Sequence, residues 1–352
     1  MRLYRKSMLF CIAGGFGVVN AQETSKELSE FSGLKEKTSY HVRISADYLY
    51  WKLSEDIPSI GNCTTSDTTL GLNDTAITNV FSGSSVPISI NPGYKSGFQI
   101  GLGYDVQGWD AWNIVAGYSW YQNKSSNSIT AASNQSFVIG SVFTPTKFDG
   151  RLILTQDLFS SFSFDYNSVF LALKKEISVK NLEAGIEMGL RALWMGQKLD
   201  ITSPSLSYIV PSSSFFVVNE GPFVSGIQQK SWGIGPQFSL NANWILPYNL
   251  KILGSLGFST PYTQYTTQKS FAATFESRVN TSVPSYSTLR AITETSLGLG
   301  WDMFFGANHS YYLNLAASYD FNVFWNYTSI GNMDTTGNVY LQGLNLKAQF
   351  GF

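Results

Sequence analysis

Charge is what this chain of 352 residues has least of. Lys and Arg number 23, Asp and Glu 24, and charged residues make up 13%, against roughly 25% in ordinary globular proteins. Histidine occurs twice and cysteine twice. Two cysteines exclude a disulfide scaffold and a thiolate zinc cluster. A formal net charge of −1 gives no electrostatic draw towards nucleic acid. Beyond residue 21 no uncharged apolar run reaches the ~18 residues of a membrane-spanning helix. No Gly-rich phosphate loop links a strand to a helix, since Gly101-Leu102-Gly103 and Gly233-Ile234-Gly235 lie within alternating segments. No cluster has metal-ligand spacing, so neither cofactor nor metal is expected. What is abundant is aromatic: 9 Trp, 19 Tyr and 25 Phe, beside 31 Gly. Yet mean hydropathy is only −0.03.

The start of the chain reads as an export signal over residues 1–21. Arg2, Arg5 and Lys6 precede the apolar run Met8 to Val19, and Val19-Asn20-Ala21 suits signal peptidase. Cys11 lacks the small residues expected before a lipidated cysteine. Cleavage would take the net charge from −1 to −4 and leave Cys63 as the lone cysteine. Residues 22–39 form a polar periplasmic segment, compatible with a short helix or a disordered tail. Residues 40–352 read as one β-barrel.

That reading rests on period-two alternation, which places successive side chains on opposite faces of a strand. Phe98, Ile100, Leu102 and Tyr104 alternate with Gln99, Gly101, Gly103 and Asp105. After Gln107-Gly108-Trp109-Asp110, Trp112, Ile114, Ala116, Tyr118 and Trp120 resume the pattern, which makes a hairpin. Similar segments run from Val42 to Tyr50, Leu182 to Trp194, Trp232 to Trp244, Leu289 to Met303, Leu313 to Trp325 and Leu344 to Phe352, with a weaker one from Leu250 to Phe258. Phe162, Phe164 and Tyr166 alternate with Ser163, Asp165 and Asn167, but Val169 to Leu173 is apolar at every position. A bulge with a change of phase is expected there.

Connections alternate between short turns and long Ser/Thr/Asn-rich stretches. The long ones cover roughly Ser54–Pro92, Asn123–Gln156, Ile201–Gln228, Thr263–Thr288 and Ser329–Gly337. Short periplasmic turns at one end and long extracellular loops at the other mark an antiparallel up-and-down outer-membrane barrel, here of about ten strands within a range of ~10–16. Ser136–Phe143 and Ser207–Val218 are candidates for further strands. Aromatics gather at strand ends (Tyr50, Trp51, Trp109, Trp112, Trp120, Tyr121, Trp194, Trp232, Trp244, Trp301, Trp325 and Tyr327), as in the belts where barrels meet lipid headgroups. The opposite face carries Asp47, Asp105, Glu183, Glu187, Glu294, Asp302 and Asp320 with Arg43, Arg191, Lys251, Arg290 and Lys347. These twelve are the candidate pore-lining residues. Their slight acidic excess implies at most a mild cation preference, and mutual pairing that fills the interior is the other reading. The final strand ends in Phe352, and Asn345, Phe350 and Phe352 look like the signal read by the barrel-assembly machinery.

The chain resembles the Legionella- and Chlamydia-type major outer membrane protein family. The carrying residues are Asp47-Tyr48-Leu49-Tyr50-Trp51-Lys52, Pro92 through Tyr104, Gly108-Trp109-Asp110, Tyr118-Ser119-Trp120, Gly189-Leu190-Arg191-Ala192, Trp232 through Pro236, Leu297 through Asp302 and Leu341-Gln342-Gly343-Leu344. The resemblance implies an abundant, porin-like outer-membrane protein, some relatives being cross-linked through cysteines. It points to a passive channel for small hydrophilic solutes and ions, with a structural or adhesive barrel lacking an open pore as the alternative. Expected partners are outer-membrane lipid, the assembly machinery, the permeating solutes and a second copy of the chain, with no nucleic acid. Cys63, in the first long loop, invites intermolecular pairing. An enzyme is not expected. Only His41 and His309 could serve as a general base, both map to the short-turn end, and neither has a Ser-plus-carboxylate setting.

Overall fold

In the computed structural model the described residues are 41–56, 61–65, 86–87, 92–106, 112–130, 135–139, 152–155, 157–210, 216–273, 276–306, 310–328 and 336–352. The signal, residues 22–39, Trp109 and His309 lie outside them. The strands in chain order are β1 (Val42–Glu55), β2 (Gly61–Thr65), β3 (Val86–Pro87), β4 (Tyr94–Asp105), β5 (Trp112–Thr130), β6 (Gln135–Ile139), β7 (Leu152–Thr155), β8 (Asp157–Val179) and β9 (Leu182–Ser203). There follow β10 (Leu206–Val210), β11 (Phe216–Glu220), β12 (Phe223–Ile245), β13 (Leu250–Ser259), β14 (Tyr262–Ala273), β15 (Glu276–Leu289), β16 (Ile292–Phe305), β17 (Tyr311–Thr328) and β18 (Gly337–Gly351).

One sheet runs β13-β16-β17-β18-β1-β4-β5-β8-β9-β12, and β12 pairs back to β13, so ten strands close into a ring. Closure removes the sheet edges that could not be satisfied in lipid. The first and last strands seal by Val42 N–H to Phe352 O and Phe352 N–H to Val42 O, both 3.0 Å. Direct cross-strand partners can be followed once round the ring from Trp232, through Trp194, Asn167, Trp120, Phe98, Tyr48, Leu346, Ala317, Leu299 and Ile252. The path returns to β12 at Trp244, a stagger of twelve residues from 232 to 244. Ten strands with that stagger tilt by about 40° and enclose a barrel of about 10 Å backbone radius. At that tilt the twelve residues between the two tryptophans rise about 30 Å, close to the ~25 Å apolar band of an outer-membrane barrel.

Three features differ from the expectation. The stretch read as a loop over Thr263–Thr288 is mostly the β14–β15 hairpin, which extends the wall beside the loop-end half of β12. The two candidate extra strands exist in part, as β6 and as β10 with β11, but they belong to a separate six-stranded sheet with β2, β3 and β7. Cys63 lies in that sheet, its backbone paired with Phe137 and Val86.

The third difference is the missing bulge in β8. Its pairing with β5 and β9 is continuous through Ser168–Leu173. Polarity inverts instead of phase. In the turn-end half Val169, Leu171, Leu173 and Ile177 face outward and exposed, as lipid requires. In the loop-end half Phe162, Phe164 and Tyr166 are buried inside the ring while Ser161, Ser163, Asp165 and Asn167 face out. β9 inverts in the same way: Met188, Leu190 and Trp194 lie outside, whereas Leu193, Met195, Leu199 and Ile201 pack inside with Lys198 and Asp200 outside. The strands therefore outrun the membrane. Within lipid they are apolar outside; beyond it they fold like a water-soluble barrel with an apolar interior.

A real irregularity occurs in β17. Asn326 has φ +59°, and the register with β18 shifts between Phe324 and Thr328. Tyr327 turns inward and is buried, whereas Trp325 remains outside with Nε1 3.0 Å from Thr293 Oγ1. Tyr327 is thus a core residue, not a belt residue as its place in the strand suggested; the inward-facing Trp51 and Tyr121 correct the belt in the same way. Asn tolerates this left-handed conformation and β-branched residues do not. Asn326→Val should lower the unfolding free energy by about 1–2 kcal/mol, read as a drop in the urea midpoint, while Asn326→Gly stays near wild type.

Candidate functional site

The lumen collects the chemistry. Contacts between strands that are not neighbours in the ring fix which face is inside, because only the interior allows them. Eleven of the twelve candidate pore residues lie on this face in β1, β4, β9, β13, β16, β17 and β18, and Arg290 joins β15 to β16 with its guanidinium 5.5 Å from the Tyr265 ring.

The turn-end half holds ion-paired groups. Arg43 donates to Asp105 Oδ1 at 2.7 Å and to Glu176 Oε1 at 3.0 Å, and Lys174 meets the same Glu176 oxygen at 3.0 Å. Lys251 Nζ lies 2.8 Å from Glu183 Oε2 and 2.6 Å from Asp302 Oδ2. Asp302 Oδ1 also accepts from Tyr312 Oη at 2.9 Å and Asn314 Nδ2 at 2.8 Å. Arg191 reaches Glu294 Oε2 at 2.7 Å, across β12 and β13. Glu187 accepts from Gln237 Nε2 at 3.3 Å, and Asp320 Oδ2 accepts from Asn345 Nδ2 at 3.0 Å. Asp47 and Lys347 are direct cross-strand partners. Small residues make room for this network, and Gly189 is the tightest case: an added Cβ would run into the Leu171 carbonyl oxygen and the Ala172 backbone.

The loop-end half is apolar. Leu49, Trp51, Leu53, Tyr121, Phe162, Phe164, Tyr166, Leu193, Leu199, Phe223, Ile227, Tyr265, Ile292, Phe324, Tyr327, Val339 and Leu341 form one buried cluster. Its central contact is Tyr166 with Phe324, edge to face, ring centroids 5.3 Å apart. These residues belong to β8 and β17, which stand five places apart in the ten-strand ring. Opposite walls of the barrel therefore touch. Tyr327 stacks edgewise on Phe324 at 5.6 Å and on Tyr265 at 6.2 Å, and Tyr121 Oη donates to Trp51 O at 2.8 Å. Alternation alone missed this plug. It also missed Lys174 and Glu176, which the expected phase change in β8 concealed.

Glu55 sits at the loop-end margin of this cluster, beyond the outward aromatic belt. Its Oε1 accepts from Gln197 Nε2 at 3.2 Å, and Oε2 is enclosed without a partner. Burial pushes its carboxyl up to about 8. The unfolded chain then ionises near pH ~4.3 while the folded chain holds its proton, so stability is greatest at low pH and falls as pH rises towards about 8. Glu55→Gln should match wild type near pH 4 and exceed it at pH 8–9 in the urea midpoint. A wild-type midpoint independent of pH would remove this assignment.

Of the remaining sequence candidates, Phe350 and Phe352 face outward at the turn end, where Phe350 stacks on Tyr311 at 5.9 Å. Asn345 faces the lumen. His41 is exposed beside the start of β1.

A closed antiparallel ring with an apolar outer band, aromatic margins and a polar lumen half defines an outer-membrane β-barrel. The chain belongs to the Legionella pneumophila major outer membrane protein family, whose model matches residues 35–352. No curated protein matches it. Among solved structures it is similar to the outer membrane protease OmpT from Escherichia coli, at 10% identity and TM-score 0.37, covering 90% of this chain and 99% of that one. A major outer membrane protein from Thermus thermophilus shares 12% identity at TM-score 0.30, covering 88% and 99%. Ail, the attachment invasion locus protein of Yersinia pestis, shares 12% identity at TM-score 0.24, covering 88% and 99%.

Proposed function

We propose that this protein is a structural outer-membrane barrel whose lumen is closed at rest, carrying its long loops on the cell surface. The observation behind this reading is the 5.3 Å contact of Tyr166 with Phe324 across the ring. A barrel of about 10 Å backbone radius leaves space that large inward side chains can fill, and here the loop-end half is filled by apolar ones. Liposome swelling with a small neutral sugar tests it: vesicles holding the folded protein should swell no faster than empty ones, and swift swelling would overturn it.

The charged turn-end half favours a second reading, a passive channel for small hydrophilic solutes and ions that conducts when the plug withdraws. Its paired acids and bases would give mild cation preference at most.

A further inference from the structure

The outer face has a feature that spanning alone does not require. Trp120, Asn167, Trp194 and Trp232 are successive direct partners across β5, β8, β9 and β12. Two residues further towards the loop end, the same strands present Gln122, Asp165, Gly196 and Lys230. Two further still they present Lys124, Ser163, Lys198 and Gln228. Lys124, Lys198 and Lys230 are all exposed. Lys198 and Lys230 are diagonal neighbours on adjacent strands, which puts their Cβ atoms about 7–8 Å apart. Given the ~40° tilt, Lys124 lies at about the height of Trp232, and the other two lie less than about 10 Å beyond it. Gly196 adds a notch between them, since an ideal Cβ there would have only Asp165 atoms within 4 Å, the nearer at 3.8 Å.

Two carboxylates share this face and both are engaged. Asp165 Oδ1 accepts from Gln122 Nε2 at 2.5 Å, and Asp200 Oδ2 pairs with Lys198. The opposite wall differs. Near the same height β16, β17 and β18 turn Thr293, Trp325, Asn338 and Tyr340 outward, with no lysine among the described residues. On β1 the outward Lys52 stands alone, so the three lysines of β5, β9 and β12 form the cluster.

We propose that the outward face of β5–β8–β9–β12, just beyond its tryptophans, is a docking surface for the phosphate-bearing headgroup of an outer-leaflet lipid. Depth selects the occupant. Where the Trp side chains end, the acyl chains end, and the next layer against the wall is the headgroup layer. Charge selects the phosphate: three lysine ammoniums bracket an open notch, and each draws an anionic headgroup. Ser163 and Gln228 supply further hydrogen-bonding groups in the same row.

Native mass spectrometry of the detergent-purified barrel titrated with diphosphoryl lipid A tests this. Lys124→Gln/Lys198→Gln/Lys230→Gln should bind it ten- to a hundredfold more weakly than wild type, a range on the order expected for three surface lysines. Dephosphorylated lipid A should bind wild type and variant equally weakly, and excess inorganic phosphate should leave the bound lipid A in place. Lys175→Gln, at the turn end, should bind like wild type. Heat-dependent gel mobility verifies that each variant is folded. Equal affinity of wild type and triple variant for diphosphoryl lipid A would overturn the proposal. So would displacement by inorganic phosphate alone.

Discussion

Replacing Tyr166 and Phe324 together by alanine should turn a silent barrel into a conducting one. The two rings meet across the ring diameter at 5.3 Å, and among the described residues no backbone crosses between β8 and β17. Removing both leaves a gap that the rigid, hydrogen-bonded wall cannot close by collapse, because strand spacing is fixed at about 4.8 Å. Each truncation should also cost about 3–5 kcal/mol, the usual range for a buried aromatic. The variant should therefore give single-channel steps in planar bilayers with a lowered urea midpoint. Tyr166→Phe keeps the ring contact and should stay silent. Steps from Tyr166→Phe, or silence from a folded double variant, would place the closure elsewhere.

The second large effect concerns Lys251. Its ammonium holds Glu183 at 2.8 Å and Asp302 at 2.6 Å, and its side chain is 10% exposed. Lys251→Met removes the cation but leaves both acids, one of them, Asp302, almost wholly buried. An uncompensated buried charge typically costs about 3–5 kcal/mol. Lys251→Met should thus fall well below wild type in urea at pH 7. Asp302→Asn in the same background should restore stability, because Tyr312 and Asn314 still have an oxygen to bond. If Lys251→Met unfolds like wild type at pH 7, the network is surface-like and contributes little.

These two effects fall in the two halves of the lumen, and the halves differed in how far the sequence revealed them. Within lipid the alternation is unambiguous, because one face meets hydrocarbon and the other a polar interior. Leu190 beside Arg191, or Trp301 beside Asp302, places each charge inside, and so do the other candidate residues on these strands. The ten-strand ring follows from the same pattern. Beyond the belt the outside is water, so Phe162, Phe164 and Tyr166 carry the same period with the opposite meaning. Period-two reading finds a strand there but cannot tell which solvent it faces, and the inversion in β8 looked like a bulge. The β14–β15 hairpin was hidden for a related reason: outside the membrane its faces need no clean apolar stripe, and Ser, Thr and Gln read as loop. Tyr327 depended on the left-handed Asn326, which alternation cannot register. The Tyr166–Phe324 contact depends on the stagger of twelve residues, a property of the whole ring.

Single-channel recording of the folded wild-type barrel in planar bilayers at neutral pH tests the closed lumen most directly. A lumen closed by the apolar plug gives a flat baseline with no unitary steps. Sustained steps of defined conductance from protein verified as folded would contradict it.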